Sequence, residues 1–431
     1  MVNSIFKNRF IFLIIAIIAL TAMIIARDVL SIPIGKWVFL GFCISFAIIL
    51  PYCELIYFLC FLFPLLSGLP GNYILPIVIP ILLSKKGVGV SKSAMTYFVV
   101  ILLFELSHYF FYSFPISLPN VFGYLSILFL VIHIISNTNS ELDFGKCAII
   151  FCCGLVVFSI TILLITQAHG DISKLIEGGY RIGDTKRGAG LDEELMVNAN
   201  PNGVAFFSIA GLTSSIVLYL LKKINILSLC SFVVVFFVVG VLSLSRTWLL
   251  CVAFFAVLFC FSLVKKGTSK FSLFLAFSLF VLLFIFTFRV GIIQDAFQER
   301  MSESTLHTAG GRTEIFTDYN TFLINHPLFL MFGTGAVHYH EVVPSSFESV
   351  HNGLQQILVS YGIIGLIVFL LMFIRAIRKH YAKGSVLSII PLIVMFLFTQ
   401  SGQLLNPPIN LALYILPFSI LKVGKSIDGL K

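Results

Sequence analysis

The sequence predicts an all-α polytopic membrane protein with about 12–14 transmembrane helices, N-in/C-in, and two long external loops. Three observations predict it. Only 11% of the 431 residues are charged, while 59% are hydrophobic and 46 are phenylalanine. A soluble domain carries about 25% charge, so no water-exposed surface can be built from this composition. The apolar residues fall in runs long enough to cross a bilayer, which takes about 20 residues per helix. The charges, finally, alternate between the two sides of those runs. Soluble enzymes, disordered chains and secreted disulfide scaffolds are excluded.

Candidate spans lie near 10–26, 32–50, 53–67, 72–83, 94–112, 120–136, 147–166, 203–221, 225–242, 246–264, 271–289, 352–374, 385–400 and 408–421. Some are short, and tilt or re-entry would lower the count from 14 to about 12. Lys7 and Arg9 precede the first run, which reads as a first span rather than a cleaved signal. With the N-terminus inside, the inner loops hold 18 of the 28 cations, among them Lys85, Lys146, Lys222, Arg375, Lys379 and Lys422. The outer side then holds 10 cations against 14 acids. This is the positive-inside bias. It also accounts for the net charge of +9 without a nucleic-acid partner. All nine cysteines lie inside apolar runs and read as small core residues, not as a disulfide framework or metal site.

One transmembrane domain is expected over 1–431, interrupted outside by loops 167–202 and 291–350. Structureless loops of that length are uncommon unless functional. The second contains a helical pattern near 311–325, expected to lie on the membrane or cap a cavity. Ile315, Phe316, Tyr319, Phe322 and Leu323 are assigned to its apolar face, Gly310-Gly311 precedes it and Pro327 ends it.

The residues suited to chemistry share the outer side. Arg246, in Ser243-Leu244-Ser245-Arg246-Thr247-Trp248, occupies a hairpin of almost no length. Arginine at that depth needs an anionic partner or a route to the interface. Arg181, Lys186 and Arg187 sit among glycines, as phosphate-binding cations do, although Asp184, Asp192, Glu193 and Glu194 offer local pairing equally. Asn200-Pro201-Asn202 reads as a helix cap. Arg300 and Arg312 are either anion contacts or a solvated face, Arg312 standing at a helix start. His351 stands where the second loop re-enters the membrane and could serve as a general base. His338 and His340 have no third ligand at diagnostic spacing, so no metal is expected. Inside the spans, Glu105 and His108 share a helix face, either paired with an external arginine or taking part in catalysis.

Taken in order, these elements resemble the bacterial O-antigen polymerase and O-antigen ligase family. They are Arg187 to Asn200-Pro201-Asn202, then Ser243-Leu244-Ser245-Arg246, then Gly310-Gly311-Arg312-Thr313-Glu314-Ile315-Phe316. His326-Pro327-Leu328 with Gly333-Thr334-Gly335 follow, and His351-Asn352-Gly353-Leu354-Gln355 runs into Tyr361-Gly362-Ile363-Ile364-Gly365. The resemblance covers about residues 180–375. It implies an enzyme of the cytoplasmic (inner) membrane whose site faces the exterior. Such an enzyme moves glycan from undecaprenyl pyrophosphate without nucleotide, metal or other cofactor. By the same resemblance Arg246, Arg312 and His351 are the catalytic positions. The ligase histidine stands in a His-x-His-Asn-Glu setting, whereas this chain has Ser349-Val350-His351-Asn352-Gly353. That departure points towards a polymerase, with ligase and flippase as alternatives. The implied partners are the undecaprenyl-pyrophosphate-linked oligosaccharide, membrane lipid and, for a polymerase, a chain-length regulator protein.

The chemistry agrees. A departing lipid pyrophosphate needs its charge stabilised by metal or arginine. Neither external loop contains Asp-x-Asp, and both supply arginines suited to two-point phosphate contact. Arg181, Arg187, Arg300 and Asn352 are therefore expected to bind substrate beside the catalytic three. Alanine at Arg246, Arg312 or His351 is expected to abolish or severely reduce product at matched expression, and lysine is expected to rescue the arginine sites poorly. Wild-type glycan from all three alanine variants would reject the assignment.

Overall fold

A computed structural model describes residues 2–66, 71–86, 88–89, 91–111, 118–169, 172, 181–183, 200–265, 312–337, 339–343, 350–381, 386–402, 404–405 and 409–428. Among them there is helix and no strand. The helices are α1 (Val2–Asp28), α2 (Lys36–Ile49), α3 (Tyr52–Leu62), α4 (Gly71–Ser84), α5 (Lys92–Phe111), α6 (Leu118–Ser136) and α7 (Phe144–His169). Next come α8 (Pro201–Leu220), α9 (Ile226–Leu242), α10 (Arg246–Lys265), α11 (Arg312–Asn325), α12 (Pro327–Phe332) and α13 (Tyr339–Val342). The chain closes with α14 (Gly353–His380), α15 (Ile390–Thr399), α16 (Ile409–Ala412) and α17 (Ile415–Asp428).

Five described helices are long and apolar enough to span a membrane: α1, α6, α7, α8 and α14. Shorter apolar helices fill the other predicted spans, except that 271–289 lies outside the described residues. The protein is thus an all-α polytopic membrane protein. Only 22% of the α1 window is buried, which leaves most of that helix for lipid, whereas 78% of α8 is enclosed at the centre. Small residues let the inner helices close up, as lipid-embedded bundles require. A Cβ on Gly154 of α7 would lie 2.4 Å from the Phe61 carbonyl oxygen of α3. All nine cysteines are free; Cys230 is exposed on α9 and Cys53, Cys153 and Cys260 are half-buried, where burial was expected.

Loops assigned to one side by charge are in contact with one another. At one end, the Lys422 ammonium donates to the Asn137 carbonyl at 3.1 Å and lies 3.6 Å over the Phe144 ring. Lys85 reaches the Ile48 carbonyl, and Lys223 packs on Gly145. At the other end, the Ile182 N–H donates to Leu242 at 3.2 Å, and Ser401 donates to Thr247 at 2.8 Å.

The span expected as continuous over 352–374 is broken. Gly362 has φ +67° inside α14, a left-handed conformation that glycine adopts without a Cβ penalty. The segment after α12 runs into the break. A Cβ on Gly362 would meet the Met331 carbonyl oxygen at 2.2 Å, and one on Gly333 (φ +78°) would meet the Ser360 carbonyl at 2.3 Å. Interrupting a helix frees backbone groups that hydrocarbon cannot solvate, so neighbours must satisfy them. The Thr334 N–H donates to Val359 at 2.9 Å and the Gly335 N–H to Ser360 at 2.8 Å. The next N–H, of Ala336, donates to both Glu105 carboxylate oxygens at 3.1 and 3.2 Å. His108 Nε2 lies 3.1 Å from the Phe332 and Gly333 carbonyls.

A Gly362→Ala substitution adds about 1–2 kcal/mol of backbone strain and a further overpacking cost of about 1–3 kcal/mol. The thermal unfolding midpoint in detergent is expected to fall by several degrees, while Gly41→Ala, whose Cβ meets nothing within 4 Å, leaves it unchanged.

Candidate functional site

The site is built from a hairpin, a helix start and a small helical cap. Between α9 and α10 the chain reverses within three residues, with Leu244 at φ +47°. The Ser245 hydroxyl accepts the Trp248 N–H at 3.4 Å, so α10 begins at Arg246, which is half-buried. Trp248 fixes this corner. Its indole N–H donates to Ser208 of α8 at 2.9 Å, Ser208 donates to the Phe236 carbonyl of α9, and the ring fills the space over Gly240. The position of Arg246 therefore follows from three packed helices, not from loop chemistry.

Arg181 is brought to this hairpin by the bond from Ile182 to Leu242 in the residue next to it. Thr247, adjacent to Arg246, accepts from Ser401. The neighbouring Gln400 carbonyl accepts the Asn352 amide at 3.0 Å. Arg181, Arg246 and His351 thus belong to segments joined at one end of the bundle. His351 is half-buried and immediately precedes the cap of α14.

Asn352 has a structural task that its sequence setting conceals. Its side-chain oxygen accepts the Gln355 N–H at 3.0 Å and caps α14, while its amide holds Gln400. A cap satisfies an N–H that the first turn of a helix otherwise leaves open. Both polar ends of Asn352 are engaged, so its expected part in substrate binding rests on its neighbours. Asn200 likewise caps α8, accepting the Gly203 N–H at 2.7 Å, as its motif suggests.

Two glutamines to which the sequence reading gave no role, Gln355 inside the His351 motif and Gln356 beyond it, join the cap to the bundle. Gln355 donates to the Phe316 carbonyl at 3.1 Å and to the Asn320 side chain at 3.2 Å, tying α11 to α14. Gln356 is fully buried. It accepts the N–H groups of Leu404 and Leu405 at 2.8 and 2.7 Å and donates to the Tyr339 hydroxyl at 3.3 Å. Neither role has a local signature, because the partners lie 17 to 49 residues away.

The amphipathic helix α11 packs Ile315, Tyr319, Phe322 and Leu323 into a separate cluster with Tyr339, Val343, Val350 and Val359. Phe316, expected on that face, is instead 49% exposed. At 100° per residue it lies about 20° beyond Leu323, at the outer edge of the stripe that positions 315, 319, 322 and 323 define, and two turns nearer the start of the helix than Leu323. Pro327 does end α11 but also opens α12 as its first residue. Arg312 begins α11, about 6 Å along the axis from Phe316 and hence from the Gln355 contact. Arg187 and Arg300 lie outside the described residues, as does His338.

Glu105 and His108 were expected either to meet an external arginine or to act in catalysis. The partners they show are backbone groups of 332–336. Tyr361 also reaches Glu105 and hydrogen-bonds Tyr124. The pair braces the strap connecting the cap to the broken helix.

Residues 230–370, about a third of the chain, match the sequence model of a family described as O-Antigen ligase. The matched segment holds Arg246, Arg300, Arg312, His351 and Asn352 but not Arg181 or Arg187. It bears out the resemblance to the O-antigen ligase and polymerase family and implies a glycan-transferring membrane enzyme. No curated protein and no solved structure matches the chain.

Gln355→Ala removes two bonds to α11, each worth about 1 kcal/mol. Limited proteolysis is expected to cut faster within α11 while the bundle melts unchanged, and glycan product is expected to fall. Unaltered proteolysis would show that the packing of Tyr319 and Leu323 alone seats the helix.

Proposed function

We propose that this protein is a surface-polysaccharide (O-antigen) polymerase. It transfers a growing glycan from undecaprenyl pyrophosphate to a lipid-linked repeat unit at the outer face of the cytoplasmic membrane. The observation that carries this reading is the linkage of the Arg181, Arg246 and His351 segments at one end of the bundle, with the start of α11, and so Arg312, hung beside them through Gln355.

The chemistry assigns a task to each. His351 takes the proton of the acceptor hydroxyl, and the oxygen attacks the anomeric carbon. The bond from that carbon to the pyrophosphate oxygen breaks. The arginines hold the developing negative charge, which fixed donors stabilise best where water is scarce. Arginine is suited to this because its planar fork meets two phosphate oxygens at once and it stays charged. Attack from the face opposite the leaving group inverts the anomeric configuration. Nothing in this sequence of steps calls for a metal or nucleotide.

Ligase activity is the second reading, favoured by the description of the matching family. Against it stands Gly353, where the ligase setting has glutamate. Gly353 fits tightly here, a Cβ there lying 3.0 Å from the Thr399 carbonyl oxygen, so a larger residue would press on α15. A flippase is disfavoured because, among the described residues, Arg181 and Arg246 stand at one end of the bundle rather than along a midplane path.

Deleting the gene and analysing surface and lipid-linked glycan together separates these readings. A polymerase leaves core bearing a single repeat, with the ladder lost and donor accumulating outside. Bare core with long polymer on the lipid carrier indicates the ligase, and donor trapped inside indicates transport. An unchanged ladder would overturn the family reading.

A further inference from the structure

A groove of about 280 Å³ runs between α5, α6 and the second half of α14. Its walls are apolar side chains such as Ile101, Phe104, Leu128, Val131, Val368 and Met372. Its two ends differ. One is closed by Tyr124 and Tyr361, hydrogen-bonded to each other beside the helix break. The other is polar, lined by Ser91, Ser93, Arg375 and Lys379. Arg375 and Lys379 are one helical turn apart, on the same face of α14, and both are exposed.

This polar mouth lies at the Lys422 end of the bundle. Lys379 is close enough to act electrostatically on Lys422, and Ser136, which also lines the groove, adjoins Asn137, whose carbonyl binds Lys422. The mouth is therefore at the opposite end from Arg246 and His351. From residue 363 to residue 379 the helix rises about 24 Å, most of the roughly 30 Å hydrocarbon thickness.

We propose that this groove binds an anionic glycerophospholipid of the leaflet at the Lys422 end. The phosphate sits between the Arg375 guanidinium, the Lys379 ammonium and the hydroxyls of Ser91 and Ser93, and one acyl chain extends along the groove towards the tyrosine pair. Charge selects this occupant. Two cations and two hydroxyl donors meet a phosphate at the interface depth, and arginine engages it at two points. A zwitterionic headgroup returns a cation to the same place and loses part of that attraction. A polyprenyl pyrophosphate donor bound at the Arg246 end would carry its head away from this mouth. The site is thus separate from the proposed transfer chemistry and stands whether or not that chemistry is polymerisation.

The test is lipid retention by the full-length protein, taken from nanodiscs of phosphatidylcholine doped with phosphatidylglycerol and measured by native mass spectrometry. Wild type is expected to retain one phosphatidylglycerol in preference to phosphatidylcholine. R375A/K379A is expected to lower that retention about tenfold, while R375K/K379R keeps most of it. Val368→Trp, which leaves the cations in place and fills the groove, is expected to lower retention as well, and it provides an independent reading if the double variant does not fold. Equal retention of both lipids, full retention by both R375A/K379A and V368W, or a polyprenyl lipid copurifying in the groove would each overturn the proposal.

Discussion

The architecture turns on a helix that stops inside the membrane. At Gly362 the backbone of α14 leaves the helical path and exposes carbonyls that hydrocarbon cannot solvate. An orphaned polar group there costs several kcal/mol, so the break persists only where other backbone supplies donors. The strap 333–336 supplies them. Its N–H groups go in turn to Val359, Ser360 and the Glu105 carboxylate. The carbonyls at 332 and 333 are met by His108. Each partner answers the other's deficit, and so the strap and the break specify one another.

That reciprocity links the membrane core to the candidate site. The strap leads back through α12 to α11 and forward to α13, so the cap carrying Arg312 is anchored at the depth of Glu105. The short helix ahead of the break begins at the Asn352 cap, beside His351. Its two glutamines reach outward to α11 and inward to 404–405. The position of the proposed base and that of the helix bearing Arg312 are fixed by one rigid turn of helix. Arg246 reaches the same end by a separate route, through Trp248 and the packing of α8, α9 and α10. Two independent supports for the two sides of a site suit a reaction that holds a donor and an acceptor apart until they react.

Much of this was legible in the sequence, for a physical reason. Spans are recognised by composition alone, which needs no knowledge of tertiary contacts. The amphipathic helix was legible from its period, although Phe316, at the edge of the apolar stripe, is exposed rather than packed. The break at Gly362 was not legible. It lies within a window of mean hydropathy 2.8 between Gly353 and Lys379, and glycine is ordinary in membrane helices. The task of Glu105 was hidden for another reason. One of its partners, Ala336, is 231 residues away and contributes only a backbone N–H, which leaves no trace in residue type. The same holds for Asn352 and Gln355: the motif contains them, but only the fold reveals that they hold structure.

The most direct measurement is reconstitution. Purified protein in nanodiscs, given only an undecaprenyl-pyrophosphate-linked repeat unit, is predicted to build a ladder of lengthened lipid-linked glycans. NMR should show each new linkage inverted relative to the donor. Elongation that retains the donor configuration would contradict direct attack by the acceptor hydroxyl. Failure to elongate, with transfer appearing only when lipopolysaccharide core is added, would contradict the polymerase account itself.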